Sequence, residues 1–127
     1  MAWRFRKHYT LAEARALLPQ LRLWLGQLQR LRRDLASYEQ STEPHLIQGD
    51  DFGGGKVNQW IRNLSAFKEL LEEFNQREIQ IKDLDRGLVD FPAIQANREV
   101  FLCWEQHEDD ITYWHDLESG FGGREKL

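Results

Sequence analysis

The spacing of apolar residues changes once along this chain, and the change limits the kind of fold that the chain can form. Up to Arg77, apolar residues recur every three or four positions, which is the period of an amphipathic helix. After Arg77 they alternate with polar residues, as Ile79 and Ile81 do, which is the period of a strand. A run of helices followed by a run of strands is typical of an α+β domain.

The first predicted helix begins with a capping signal. Thr10 and Glu13 have the spacing of a capping box, in which each side chain accepts a hydrogen bond from the backbone N–H of the other residue. Because proline lacks a backbone N–H, Pro19 predicts a kink or a break between Leu17 and Leu18. Two apolar rows lie along this helix: Leu11, Ala14, Leu18, Leu21, Leu25, Leu28 and Leu35, and beside them Leu17, Trp24, Leu31 and Tyr38.

A second helix is predicted over residues 55–77 from its own apolar row. Residues 41–55 include Pro44, Gly49 and three consecutive glycines, and they predict a long, mobile connection between the helices. With this connection, residues 10–77 form an antiparallel helical hairpin.

Residues 78–127 predict a β-meander followed by a glycine-rich tail of irregular structure. After the strand around Ile79 and Ile81, further strands are expected at 88–93, 100–104 and 111–116. Residues 100–104 are apolar on both faces, as in a central strand that is covered on both sides. The predicted fold is therefore α+β, with a long antiparallel helical hairpin packed on a three- or four-stranded antiparallel β-meander, in a single domain of residues 1–127.

The composition excludes several classes of protein. Apolar residues make up 41% and charged residues 30% of the chain, which is typical of a globular, soluble protein. No apolar run approaches the roughly 20 residues that span a membrane, and the N-terminus lacks the apolar run of a signal peptide. We therefore expect a cytoplasmic protein with no membrane association. Cys103 is the single cysteine, which agrees with a reducing compartment, and its apolar strand predicts a buried, inert thiol.

Charge is distributed unevenly along the chain. Residues 1–40 hold eight Lys and Arg against three Asp and Glu, whereas the remainder holds nine against eighteen. Basic residues on the first helix suit phosphate groups. They form no recognisable reading motif, however, and the net charge is −4, so nucleic-acid binding is not expected.

Acidic, aromatic and basic residues are interleaved in the last third of the chain, where a site would lie. A histidine with carboxylates suits a divalent metal, and a pair of carboxylates beside tryptophan could act as general acid and base. No spacing among these residues is diagnostic, so we assign no metal, no cofactor and no catalytic residue. The candidate ligand-binding residues are Asp83, Asp90, Trp104, Glu108, His115 and Arg124. Arg124 could instead pair with one of the acids and hold the tail on the sheet.

These motifs resemble those of a bacterial family, domain of unknown function 2203, over nearly the whole chain. The resemblance rests on Thr10-Leu11-Ala12-Glu13-Ala14 and Leu17-Leu18-Pro19 near the start, and on Glu108 and the segments 82–93, 100–104, 113–116 and 120–124. It implies no activity, because the family has no established one. The chain departs from the family pattern at Glu78, where a glycine is usual.

The apolar surface exceeds what one copy of this chain can bury, because both helix rows and a two-sided strand need cover. We therefore expect a non-enzymatic, self-associating module that forms a homodimer with helices at the interface. The alternative is a small enzyme, or a protein that binds a metal or another ligand on the acidic and aromatic face of the sheet. The residues do not identify a small-molecule ligand.

Overall fold

Among its described residues, the computed structural model has two helices followed by five strands, in the order that the change of period predicts. The structure describes residues 2–48 and 53–127, with the side chains of residues 2–40 and 54–127. The helices are α1 (Leu11–Gln48) and α2 (Gly53–Gln76). The strands are β1 (Gln80–Asp83), β2 (Leu88–Gln95), β3 (Arg98–Glu105), β4 (Tyr113–Asp116) and β5 (Glu125–Lys126), and a 3-10 turn covers Phe121–Gly123.

The strands form one antiparallel sheet in the order β1-β2-β3-β4-β5, which confirms the meander with five strands instead of three or four. The additional strand, β5, comes from the tail that was expected to be irregular. Tyr113 pairs with Lys126, and the Leu127 N–H donates to the Thr112 carbonyl at 2.8 Å. A strand of two residues is too short to show a period of two, so the pattern missed it.

α1 begins where the capping box places it. The Glu13 N–H donates to Thr10 Oγ1 at 3.1 Å, and the Thr10 N–H donates to Glu13 Oε1 at 2.9 Å. The helix is continuous through Pro19, so of the predicted kink or break the break is wrong, while the kink stays a prediction. Leu18 and Leu21 are buried on either side of Pro19, and their packing holds the helix where one backbone hydrogen bond is missing.

The connection predicted for residues 41–55 is wrong over most of its length. α1 continues to Gln48 and α2 begins at Gly53, so residues 41–48 and 53–55 are helical. Residues 49–52 lie outside the described part of the chain. With 38 residues, α1 is about 57 Å long at about 1.5 Å per residue.

The core lies between the hairpin and one face of the sheet, which we call the inner face. Alternate residues of β2 and β3 point into it, and their neighbours point to the opposite, outer face. The core cluster includes Leu18, Leu21, Leu25 and Leu28 of α1, Phe74 of α2, and Val89, Phe91, Ala93, Val100, Leu102 and Trp104 of the sheet. Residues 100–105 of β3 are all buried, which confirms a central strand covered on both sides.

The N-terminal residues 2–9, which we call the strap, cover part of the outer face. Glu99 of β3 accepts hydrogen bonds from the N–H groups of Arg4 at 2.8 Å and Phe5 at 3.0 Å. The same carboxylate lies 2.9 Å from His8 Nε2. The Phe5 ring packs on Phe101 of the outer face, with the ring centroids 5.5 Å apart. No sequence pattern predicted this cover.

A second carboxylate, Glu78, holds the middle of the strap. Its Oε1 accepts hydrogen bonds from the N–H groups of Arg6 and Lys7, both at 2.9 Å. Glu78 has a φ of 57°, a left-handed conformation that favours glycine. The two hydrogen bonds to the strap explain why a glutamate is tolerated there.

Glu99 should make the attachment of the strap sensitive to acid. Burial raises the pKa of Glu99, but hydrogen bonds from His8 and from the Arg4 and Phe5 N–H groups lower it by more, so the net pKa is below its usual value. A lowered pKa stabilises the folded state above the unfolded-state pKa of about 4.3. That stabilisation is lost as the pH falls through the lower pKa of the folded state.

We therefore expect Glu99→Gln to flatten the fall in unfolding free energy below about pH 5. Urea unfolding at a series of pH values measures this dependence. Glu72→Gln is the matched control, because Glu72 is exposed on α2 and makes no hydrogen bond or ion pair with another described residue. Equal slopes for Glu99→Gln and the native protein would contradict the role assigned to this carboxylate.

Candidate functional site

Three side chains from three adjacent strands meet on the outer face, and we call them the outer-face cluster: Asp90 of β2, Cys103 of β3 and His115 of β4. Cys103 lies opposite Asp90 in the register, and His115 lies opposite Phe101, two residues along the same face. A carboxylate oxygen, the Sγ atom and an imidazole nitrogen all lie within 4.8 Å of one another. Each of the three residues is at most 2% exposed.

The hydrogen bonds of His115 determine where its protons lie. Its Nδ1 is 2.6 Å from the carbonyl oxygen of Asp116, which only accepts, so Nδ1 carries a hydrogen. Its Nε2 is 3.0 Å from Asp90 Oδ2. That contact requires one proton, carried either by the imidazole or by the carboxyl group. The Asp90–His115 pair therefore has no net charge in either arrangement.

The remaining polar atoms of the cluster are less well satisfied. Asp90 Oδ1 is buried and has no hydrogen-bond partner among the described residues. Burial raises the pKa of Asp90, against the lowering effect of His115. Burial, together with the nearby Asp90 carboxylate, raises the pKa of Cys103 to about 12, so the thiol is protonated at neutral pH.

The cluster does not have the geometry of a nucleophilic Cys–His site. Such a site needs a thiolate and a histidine nitrogen that is free to take the thiol proton. Both nitrogens of His115 have other partners, namely the Asp116 carbonyl and the Asp90 carboxylate. The arrangement instead favours binding of a proton or a cation between the oxygen, nitrogen and sulfur atoms.

The tail closes the outer face beside the cluster. The guanidinium carbons of Arg86 and Arg124 lie 4.3 Å and 4.1 Å from the centroid of the Phe121 ring. Both charges are paired: Arg86 Nε donates to Glu105 Oε1 at 2.7 Å. Arg124 makes two contacts with Glu108, at 3.1 Å and 3.3 Å. This double contact holds the tail on the sheet, as the alternative interpretation of Arg124 expected.

The candidate ligand-binding residues are divided between several places. Asp90 and His115 form the buried pair, while Glu108 and Arg124 pair with each other under the tail. Asp83 lies at the turn after β1, where its Oδ1 accepts a hydrogen bond from the Arg86 N–H at 3.2 Å. Their binding of a ligand remains a prediction.

Trp104, the sixth candidate, lies on the inner face. It is completely buried in the core cluster, and its Nε1–H donates to the Glu108 carbonyl at 2.9 Å. Its neighbour Cys103 points to the outer face and joins the cluster, although the sequence indicated only an inert thiol. Because side chains alternate between the two faces of a strand, Cys103 and Trp104 point in opposite directions. Only the pairing register shows that Cys103 is the residue that lies opposite Asp90.

A second candidate surface lies on the hairpin. The fully buried row of α1 ends at Leu28, and beyond it Leu31, Leu35 and Tyr38 are only half-buried. A groove of about 510 Å³ runs between the two helices, and we call it the hairpin groove. It is lined by Trp24, Gln27, Arg30 and Leu31 of α1 and by Ala66, Glu69, Leu70 and Glu73 of α2.

Comparison with known proteins places the chain in one family. In the described part of the chain, neither helix is long and apolar enough to cross a membrane. No curated protein and no solved structure matches the chain. The family model described as uncharacterized conserved protein (DUF2203) matches residues 7–127, a range that includes both helices, the whole sheet and the outer-face cluster. The chain therefore belongs to the DUF2203 family of uncharacterized conserved proteins.

Proposed function

We propose that the protein is a non-enzymatic module of the bacterial cytoplasm that forms a homodimer through the hairpin groove. The observation that supports this proposal is the self-complementary lining of the groove. Trp24, Leu31 and Leu70 contribute apolar surface, while α1 contributes Arg30 and α2 contributes Glu69. A second copy of the same hairpin therefore offers both the apolar surface and the opposite charges that the groove needs.

Two charges of the groove lining, Arg30 and Glu69, are available for a partner. Arg30 and Glu69 are exposed, and neither makes an ion pair with another described residue. A two-fold dimer brings the same surface of two copies together, so that every contact between unlike residues occurs twice. Arg30 of each copy then faces Glu69 of the other. The four helices pack as an antiparallel bundle around the apolar lining.

Self-association also accounts for the length of the hairpin. The fully buried row of α1 runs from Ala14 to Leu28, about 21 Å of a helix of about 57 Å. Beyond Leu28, the apolar side chains of Leu31, Leu35 and Tyr38 are only half-buried, so this part of α1 keeps apolar surface that a partner can cover.

Charge reversal tests the proposed dimer. Arg30→Glu and Glu69→Arg should each raise the dissociation constant about tenfold or more, because each change places like charges opposite each other twice. The double variant should return to the native value, since it restores opposite charges. Sedimentation equilibrium at low ionic strength measures these constants, and Lys68→Glu, a charge reversal outside the groove lining, is the matched control.

Two outcomes would contradict the proposal. A native protein that stays monomeric at micromolar concentration would exclude this function. A double variant as weak as the single variants would exclude the pairing of Arg30 with Glu69. All three positions altered in these tests and in the control are on the helix surface, so the fold should be retained.

The expectation that nucleic acid is not the partner has separate support. Several basic residues of α1 are engaged with the sheet and its turns. Arg15 Nε donates to Asp110 Oδ1 at 2.8 Å, and Arg22 Nη2 donates to the Glu108 carbonyl at 3.1 Å. These groups are less available to phosphates than a free basic row would be.

A further inference from the structure

The outer-face cluster combines the ligand atoms of a transition-metal site, and we propose that Asp90, Cys103 and His115 bind one divalent ion of the zinc class. The inference is independent of dimer formation, because the cluster lies on the sheet and not on the hairpin groove. Zinc binds cysteine sulfur, histidine nitrogen and carboxylate oxygen. Magnesium and calcium prefer oxygen ligands alone, so a set with sulfur and nitrogen disfavours them.

The spacing of the ligand atoms suits a single ion. In a tetrahedral zinc site, bonds of about 2.0–2.3 Å place the ligand atoms about 3.3–3.8 Å apart. The three ligand atoms of the cluster already lie within 4.8 Å of one another, on a sheet that fixes their backbones. One of these distances, 3.0 Å from His115 Nε2 to Asp90 Oδ2, is that of a hydrogen bond and would widen slightly around an ion.

The second nitrogen of His115 has the partner that a metal-bound histidine needs. Histidine ligands almost always donate their other ring N–H to a carbonyl or a carboxylate, which fixes the ring and the tautomer. His115 Nδ1–H donates to the Asp116 carbonyl at 2.6 Å. This bond directs Nε2 into the cluster as the available ligand atom.

The unpaired oxygen of Asp90 points to the same conclusion. A buried polar atom without a partner is destabilising, and native structures contain few of them. Asp90 Oδ1 is such an atom among the described residues, and Asp90 itself is 2% exposed. An ion bound by the Asp90 carboxylate would give Oδ1 a partner. With Cys103 and His115 this makes three protein ligands, the number that leaves the fourth position of a tetrahedral zinc site open to water.

The charges also balance. Without metal, one proton is shared by Asp90 and His115, and another is on the Cys103 thiol. Binding of a divalent ion releases both protons, since the ligands are a carboxylate, a thiolate and a neutral imidazole. The two positive charges of the ion then match the two negative ligands. The cluster therefore stays neutral beside two cations, Lys82, whose Nζ is 5.2 Å from the Phe101 centroid, and Arg124.

Cobalt(II) is the probe that tests this site most directly. Cys103 is the only cysteine of the chain, so a thiolate-to-cobalt charge-transfer band can arise from this site alone. The cluster is buried under the strap and the tail, and the full chain is therefore unfolded in guanidinium and refolded with Co²⁺. We expect a band that saturates at one Co²⁺ per chain, is absent when the chain is refolded with excess Zn²⁺ as well, and is lost in Cys103→Ser.

Variants of the other ligands separate the site from chance binding. Asp90→Asn and His115→Gln should weaken Co²⁺ binding at least tenfold, whereas His107→Gln should leave it unchanged. His107 is the matched control because its side chain is 74% exposed and lies outside the cluster. Zn²⁺ should also raise the melting temperature of the native protein and leave that of Cys103→Ser unchanged.

Several results would overturn the proposal. One is the absence of a charge-transfer band after the native protein is refolded with excess Co²⁺. This would show that the cluster is a hydrogen-bonded polar group and not a metal site. Another is a band that Asp90→Asn and His115→Gln do not weaken. Serine is nearly the same size as cysteine, so we expect the Cys103→Ser variant to fold. Circular dichroism in the presence of a chelator is the measurement that checks this. The comparison of native protein with Cys103→Ser thus decides the question even where a variant of the buried pair fails to fold.

Discussion

Replacing Trp104 with alanine should lower the free energy of unfolding by about 3–5 kcal/mol. Trp104 is completely buried in the core between β3 and the hairpin, so alanine leaves a cavity the size of an indole ring. The Arg22 guanidinium carbon, 5.2 Å from the ring centroid, also loses its aromatic partner. Domains of this size are stable by about 5–15 kcal/mol in total, so the loss is a large share of the stability.

Trp104→Phe separates the volume of the ring from its hydrogen bond. Phenylalanine keeps an aromatic ring in the core but removes the Nε1–H that donates to the Glu108 carbonyl. That carbonyl retains Arg22 Nη2 as a donor at 3.1 Å, so we expect a smaller loss, about 1–2 kcal/mol. Urea unfolding followed by circular dichroism measures both variants. If Trp104→Ala costs less than about 1 kcal/mol, the ring is not part of the core, and the role in ligand binding that the sequence predicted becomes the better explanation.

Features that depend on neighbouring residues were predictable from the sequence. Thr10 and Glu13 are three residues apart, and their mutual hydrogen bonds need only the first turn of α1. The local chain geometry is sufficient for this feature, so the residue types alone indicated it.

The outer-face cluster could not be predicted in this way, because it depends on the strand register. A slip of one residue in β3 would bring Trp104 to the outer face and turn Cys103 into the core. Both residues lie in a strand that is apolar on both faces, so the hydrophobic pattern does not choose between the two registers. Only the observed pairing of Asp90 with Cys103 does so.

The strap was missed for a different reason. Its backbone is held by Glu78 and Glu99, which are more than 70 residues away in the sequence. Residues 2–9 form neither a helix nor a strand, and therefore show no period. Long-range hydrogen bonds from side chain to backbone leave no pattern in the segment that they hold.

Removing His115 from the metal-free protein should lower the free energy of unfolding by about 3–5 kcal/mol. His115→Ala removes the imidazole partner of Asp90 Oδ2 from a buried carboxyl group whose Oδ1 already has no partner among the described residues. Asp90→Ala should lower the free energy of unfolding by less than His115→Ala does, because it removes the unsatisfied Oδ1 together with the partner of His115. Urea unfolding in the presence of a chelator measures both losses.

The double variant tests whether the two side chains act as a pair. Asp90→Ala and His115→Ala together should cost about 1–3 kcal/mol less than the sum of the single variants, because the second change removes a group that the first left unpaired. Additive losses would show that the 3.0 Å contact contributes nothing to stability. Repeating the cycle with Zn²⁺ distinguishes the hydrogen bond from the metal site. An ion that binds only the folded native protein raises its free energy of unfolding by an amount that grows with the ion concentration. The two single variants and the double variant should not gain this increase, so their free energies of unfolding with Zn²⁺ should equal those measured with the chelator.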